Sequence, residues 1–462
     1  MQHADSPLRP PHGSNASGQP SRWYSWAIVG MLWFICFFNY ADRQAIAAIL
    51  DPLQKEFGFT NTQLGLIGSA FMYVYALSAP FAGGTGDRLS RKMLIIGGLF
   101  VWSIVTGFTA ACSKLWQFVF VRGAEGLGET FYFPSSMSLI SDYHGKRTRS
   151  RAMGLHQTSV YAGTIGGSWF AGWMAVHYGW RYPFVILGAA GVVLGIVLTV
   201  FIREPQRNEA ERRDRGELAP DLPEVVPAGP APGDASNDWA SFIGTTILEV
   251  FAFFGTLLRN PPALFLIAAF CGANIVAFIF ITWMPKYLHD LYGLNLAEAA
   301  FSATVYMQVA SMFGSIVGGV LADQVRKVTR GGRALVQALG VIISCPFIYW
   351  CGYTTELTNV LIAMTGFGFA KGIYDSNIWA SLYDVVPAEK RSTAVGTTNM
   401  IGWLGAGLGT TGFGVALDQG YPEGLVLSST VVIYGSIAGL LVLASLLTAR
   451  RIAAQEAAGA GV

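Results

Sequence analysis

Gly83-Gly84-Thr85-Gly86-Asp87-Arg88, followed by Arg91-Lys92, closes one apolar run of this chain, and Gly319-Val320-Leu321-Ala322-Asp323, followed by Arg326-Lys327, closes another. Further along, Asp142, Arg149-Ser150, Ala152 and Gly154 recur at one constant spacing as Asp384, Arg391-Ser392, Ala394 and Gly396. Two halves of the sequence therefore repeat each other, and charged turns punctuate long apolar stretches at matching places. Duplicated halves that meet at a substrate cavity near the bilayer midplane are a recurring transporter architecture.

Working outward from these turns, 52% of the 462 residues are hydrophobic and 13% are charged, whereas soluble proteins carry about a quarter of their residues as charged side chains. A membrane span needs roughly 20 apolar residues to cross about 30 Å of hydrocarbon. Apolar runs fall near 24–50, 63–84, 93–111, 116–141, 152–176 and 183–202, and again near 262–286, 298–321, 334–352, 357–383, 392–416 and 425–447. The expectation is an all-α membrane protein with twelve transmembrane helices in two pseudo-symmetric six-helix bundles. Residues 1–22 read as a disordered cytoplasmic tail, 23–202 as the first bundle, 203–260 as a cytoplasmic linker, 261–448 as the second bundle and 449–462 as a second tail. Trp239–Leu258, at the end of the linker, is apolar enough to lie along the membrane surface.

The orientation follows from the basic residues. With the N-terminus inside, roughly 23 of the 30 Lys and Arg fall in the tails and cytoplasmic loops, against about 4 outside. Both termini are thus expected on the cytoplasmic side of an inner membrane. The tail lacks the basic start and cleavage site of a signal peptide. Cys36, Cys112, Cys271, Cys345 and Cys351 are scattered through apolar stretches without a metal-binding pattern, and the six histidines lie in tails, loops or span ends. No cofactor, metal or nucleic acid is expected, and nothing at membrane depth supplies the nucleophile and base of an enzyme. Gly407-Leu-Gly-Thr-Thr-Gly412 matches a dinucleotide fingerprint, but it sits inside a span with no preceding strand, so close helix packing is the better account. A monomer is expected.

The loop G-x-x-x-D-R-x-x-R-K after the second span resembles the signature loop of the major facilitators. That resemblance implies a conformational latch at Asp87, Arg88 and Arg91, with Asp323 and Arg326 as its echo; Gln324 stands where the first copy has Arg88, which predicts a weaker second latch. In the first half, Asn39-Tyr40-Ala41-Asp42-Arg43, Phe57-Gly58, Gly65-Leu66, Ser69-Ala70-Phe71, Tyr75-Ala76 and Arg122 with Gly126, Gly128 and Glu129 resemble the spinster family. The resemblance implies the major facilitator fold and a proton-linked transporter of lysolipids or sphingoid phosphates.

Ionisable groups at membrane depth are costly and mark functional sites by default. Here they are Asp42, Arg43, Arg122, Glu125, Glu129, Lys371 and Asp375. Asp42 and Arg122 fall at matching depth, counted at 1.5 Å per residue from the outer ends of their spans. Arg122, Glu125 and Glu129 share one helical face. Burial and a neighbouring guanidinium pull a carboxyl group's proton affinity in opposite directions, so Asp42 and Glu129 are the candidate proton-coupling acids. Arg43, Arg122, Lys371, Asp375, Tyr40 and Asn39 are the candidate charge partners and substrate contacts. Glu129 maps onto Lys371 at the spacing of the repeat, which places the two across a shared cavity; Lys371 and Asp375, four residues apart on a helix, can neutralise each other.

The seventh, eighth and eleventh spans supply mainly aromatic, aliphatic and small residues, with Phe278, Phe280, Trp283, Tyr306 and Trp403 in the predicted apolar wall. Such a cavity suits a proton-coupled carrier of an anionic or zwitterionic lysolipid. The second reading is a proton-coupled carrier of small organic anions such as carboxylates and sugar acids, which Arg43, Arg122 and Lys371 would serve equally well.

Overall fold

The computed structural model describes residues 22–145, 147–205, 209–210, 239–387 and 390–459. The expected tail 1–22 (save Arg22), most of the charged linker and the last residues of the second tail lie outside the described residues. The first half consists of α1 (Arg22–Ala45), a short α2 (Leu50–Phe57), α3 (Asn61–Arg88), α4 (Arg91–Thr109), α5 (Leu115–Thr130), α6 (Tyr132–Tyr143), α7 (Arg149–His177) and α8 (Tyr182–Phe201). After α9 (Trp239–Leu258) come α10 (Pro261–Tyr292), α11 (Leu296–Val328), α12 (Gly332–Tyr353), α13 (Leu357–Asp375), α14 (Ile378–Val385), α15 (Arg391–Asp418), α16 (Glu423–Ser429) and α17 (Val431–Gly459).

Ten helical stretches among the described residues are long and apolar enough to cross a membrane. One of them is α9, which packs lightly on α3, α10 and α15. The other nine, with α7 and the broken pairs α5–α6 and α13–α14, make the twelve spans. The three that fall short carry the Gly-rich stripe of α7 and the ion pairs of the fourth and tenth spans. Both broken spans bend at corresponding places, at Phe131 and at Ser376-Asn377, close to Glu129 and Asp375.

The duplication is plain in the packing. In the first half the first span lies on the fifth, the second on the fourth and the third on the sixth; in the other half the seventh lies on the eleventh, the eighth on the tenth and the ninth on the twelfth. The halves meet through the second and eleventh spans and through the fifth and eighth.

A local device is duplicated too. α2 ends on Gly58 with φ 65° and α10 on Gly293 with φ 68°, a left-handed conformation that glycine adopts without steric cost. Two residues later Thr60 caps α3 in a box with Gln63, and Asn295 caps α11 in a box with Glu298, each satisfying donors that a helix start leaves open.

On the face that carries α2, the halves are joined directly. Asp418 at the end of α15 accepts the backbone N–H groups of Asn61 and Thr62 at 2.9 and 2.8 Å, where a carboxylate also meets the positive end of the α3 dipole. Ser168 donates to the Ala300 carbonyl at 3.1 Å and Gln44 to that of Ile281 at 2.9 Å. Backbones approach so closely that a Cβ added at Gly172 would stand 2.5 Å from the Leu296 carbonyl oxygen, and one at Gly414 would stand 2.3 Å from that of Asn61. Gly407 and Gly409, from the dinucleotide-like motif, pack tightly on Tyr73 and Ile275, which accounts for the pattern.

Candidate functional site

A cavity of about 250 Å³ lies between the halves. Its first-half wall includes Tyr40, Arg43, Gln44, Arg122, Gln157 and Tyr161, and its second-half wall includes Asn274, Gln308, Lys371, Asp375, Phe278 and Trp403. Charged side chains far apart in sequence thus converge on one space.

Arg43 sits near the C-terminus of α1 and is paired with Glu129 of α5. Its guanidinium lies over the rings of Phe71 (4.6 Å), Tyr40 (4.7 Å), Tyr75 (5.1 Å) and Trp403 (5.6 Å). Aromatic faces attract a cation, and Trp403 brings that attraction from the other half. Glu129 is fully buried behind Arg43. Arg122 is paired with Glu125 one turn along α5, and its Nη2 points at the Arg43 carbonyl oxygen at 3.4 Å. At this level α1 and α5 are joined by Arg43–Glu129. Arg122 pairs with Glu125 on its own helix, and no Asp42–Arg122 ion pair forms.

Asp42 is 1% exposed, and neither carboxylate oxygen has a hydrogen-bond partner among the described residues. Thr106 of α4, Arg122, Glu125 and Glu129 surround it. Three carboxyl groups thus share the cluster around Asp42 with two guanidinium groups. Asn39 is buried in the same half, outside the cavity, with its amide unpartnered among the described residues. What lets α5 come this close is Gly126, where a Cβ would stand 2.6 Å from the Phe71 carbonyl oxygen.

On the opposite wall Lys371 and Asp375 form the expected pair on one face of α13. The predicted apolar wall is only partly there. Phe278 and Trp403 line the cavity and touch each other. Phe280 and Trp283 are instead buried in the second-half core, Trp283 donating to the Thr410 carbonyl at 3.0 Å, and Tyr306 points outward at 39% exposure. Asn274, Gln308 and Ser311 take their place, so hydrogen-bonding groups stand on both walls. Gln157, Tyr161 and Thr164 were missed in the sequence; their spacing on α7 is a polar stripe on one helical face, which was the available signal.

On the linker face, Arg91 is paired with Asp142 within the first half, both buried. Its counterpart by structure is Arg333, 2.6 Å from Asp384, at the spacing that relates Asp142 to Asp384. Arg326, expected as the echo of Arg91, is exposed at the end of α11, as is Asp323. α11 is 33 residues long against 28 for α3, which moves the equivalent arginine down the chain. Arg88 lies 4.3 Å above the Phe242 ring of α9; the side chain of Asp87 lies outside the described residues.

A family profile described as "Major Facilitator Superfamily" matches residues 32–410. The chain is similar to the probable galactarate/D-glucarate transporter of Bacillus subtilis, 27% identical over 391 residues and 82% of each chain. It is also similar to protein spinster homolog 1 of Xenopus tropicalis, 26% identical over 423 residues, 86% of this chain and 73% of the other. A solved bacterial homolog of the human lysosomal transporter spinster, inward-facing and unoccupied, superposes with a TM-score of 0.73 at 21% identity, covering 93% of this chain and 98% of that one.

Proposed function

This chain belongs to the Major Facilitator Superfamily, and we propose that it is a proton-coupled carrier of a compact polyhydroxylated carboxylate that works by alternating access. The observation that carries the reading is the pairing inside the cavity: one cation from each half, Arg43 and Lys371, each held by a carboxylate, with amide and hydroxyl groups between them. A planar guanidinium suits a carboxylate, and Gln157, Tyr161, Asn274 and Gln308 suit a chain of hydroxyls. Among the relatives, one is described as a galactarate/D-glucarate transporter.

Coupling follows from charge. With Asp42, Glu125 and Glu129 all ionised, the two arginines leave one negative charge uncompensated in a low-dielectric interior, which is costly. Uptake of one proton by the cluster restores balance. A proton on Glu129 loosens its hold on Arg43, which then turns to the substrate carboxylate; the substrate in turn draws the halves together through Lys371. A ligand shifts such an equilibrium only as far as its affinities for the two states differ.

The orientation we infer puts the linker face, with Arg88, Arg91, Lys92, Arg326, Lys327 and Arg333, in the cytoplasm of a cell with an inner membrane, and the α2 face outside. Asp87, Arg88, Arg91 and Asp142 then form the cytoplasmic latch, and α9 lies at that surface.

A lysolipid substrate is the second reading. It draws on the spinster-like residues of the first half and on the apolar strip of Phe270, Phe278, Ile378 and Trp403 in the cavity. Equilibrium binding of a radiolabelled hexarate to the purified protein separates the two. The first reading expects competition by hexuronates and hexonates, none by lysophospholipids, and loss of binding in Arg43→Ala. Competition by lysophospholipids alone would establish the second.

A further inference from the structure

On the α2 face, outside the cavity lining, Asp51 of α2 faces His289 and Asp290 at the end of α10. The candidate ligand atoms of these three residues lie within 4.8 Å of one another. The first belongs to one half and the other two to the opposite half. His289 Nδ1 stands 2.6 Å from the Leu294 carbonyl oxygen. A carbonyl only accepts, so Nδ1 carries the hydrogen and the neutral ring presents the lone pair of Nε2. That lone pair points at Asp51 Oδ2, 3.4 Å away. Two acceptors facing each other leave a place for a cation.

We infer that Asp51, His289 and Asp290 form a binding site for a borderline dication such as Zn²⁺, completed only when the halves close on this face. The spacing of His289 and Asp51, 3.4 Å, suits it: ligands about 2.0–2.1 Å from Zn²⁺ on neighbouring tetrahedral corners stand about 3.3–3.4 Å apart. So does the ring geometry, because a metal-bound imidazole ordinarily donates its other N–H to a carbonyl or carboxylate, which fixes its orientation.

Charge agrees as well. Asp51, Asp290 and Glu423 contribute three negative charges, and Lys286, 7% exposed, pairs with Asp290 and lies 4.0 Å from Glu423. Lys55, 2.8 Å from Asp51, is 68% exposed and free to swing into water. With Lys55 displaced, the net charge of the cluster matches a dication. Asp51, His289 and Asp290 are respectively 8%, 23% and 34% exposed, so an ion reaches the site from the medium on this side. Bound there, it holds the halves together on the α2 face and traps the carrier closed to that side.

The test uses the full-length protein, metal-stripped in detergent, where neither membrane orientation nor substrate enters. ZnCl₂ is expected to raise Tm by several degrees at a stoichiometry of one per chain, with no effect of MgCl₂. The rise is expected to vanish in His289→Gln and Asp51→Asn, whose Tm without metal stays near that of the parent. Spin labels at Tyr178→Cys and Tyr421→Cys, one on each half, should shift to their shorter distance on adding ZnCl₂. No Tm rise in the parent, or the same rise in His289→Gln, overturns the site. Zinc binding without a change in the label distances overturns the clasp. If acidification alone gives the stabilisation and ZnCl₂ adds nothing, a proton on Nε2 takes the place assigned to the metal, and the metal assignment fails.

Discussion

Arg43 is held in three ways at once: by Glu129, by a ring of aromatic faces and by its position at the wall of the cavity. Lysine keeps the charge but loses the planar fork and its stacking. Arg43→Lys is therefore predicted to weaken substrate binding about tenfold or more, since hydrogen bonds to charged groups are worth about 1.5–3 kcal/mol; the binding assay described above measures it. Glu129→Gln removes the titratable group while keeping a partner for Arg43. Its expected phenotype is loss of accumulation driven by a pH gradient with retention of substrate exchange across the membrane. Accumulation that persists in this variant would remove Glu129 from the coupling. The buried charges were legible in the sequence because ionisable residues stand out in apolar spans. The Lys371–Asp375 pairing was legible from its i, i+4 spacing. That of the first half was not: Arg122 turns to Glu125 on its own helix while Arg43 takes Glu129, a choice that matching depth does not specify.

At the level of the helices, two ion pairs repeat across the halves with different burial. Arg91–Asp142 is 7% and 6% exposed, Arg333–Asp384 19% and 22%. Removing one partner of a buried pair strands the other, at a cost of about 3–5 kcal/mol, whereas a partly exposed pair contributes nearer 0–1 kcal/mol. Arg91→Ala is thus predicted to lower thermal stability clearly more than Arg333→Ala. Equal losses would contradict the burial argument. On the opposite face Asp418 caps α3 from the other half, and losing such a cap costs about 0.5–2 kcal/mol. Asp418→Ala should raise the reactivity of a cysteine placed at Asn61 toward a membrane-impermeant thiol reagent added on that side. Apolar runs announced most of these helices. The breaks in the fourth and tenth spans, and the repeated glycine-and-box turns at Gly58 and Gly293, went unseen because composition averages over them. Arg333 was overlooked because the helix before it is longer than its counterpart.

For the molecule as a whole, the duplicated architecture was legible because similar charged turns close matching apolar runs in both halves, with Asp142 and Arg149 recurring at one spacing as Asp384 and Arg391. The character of the cavity was less so. A wall is made by whichever faces the helices turn inward, and Phe280 and Trp283 turn into the core while Asn274 and Gln308 turn to the cavity. That exchange moves the balance toward a polar anion. The central claim is that a proton on the buried acids releases Arg43 to an anionic substrate and so couples the two gradients. Uptake of a radiolabelled hexarate into proteoliposomes, with and without an imposed pH gradient, tests it most directly. The account predicts accumulation above the equilibrium level when the outside is acidic, abolished by a protonophore. Saturable uptake that merely equilibrates whatever the gradient would contradict it.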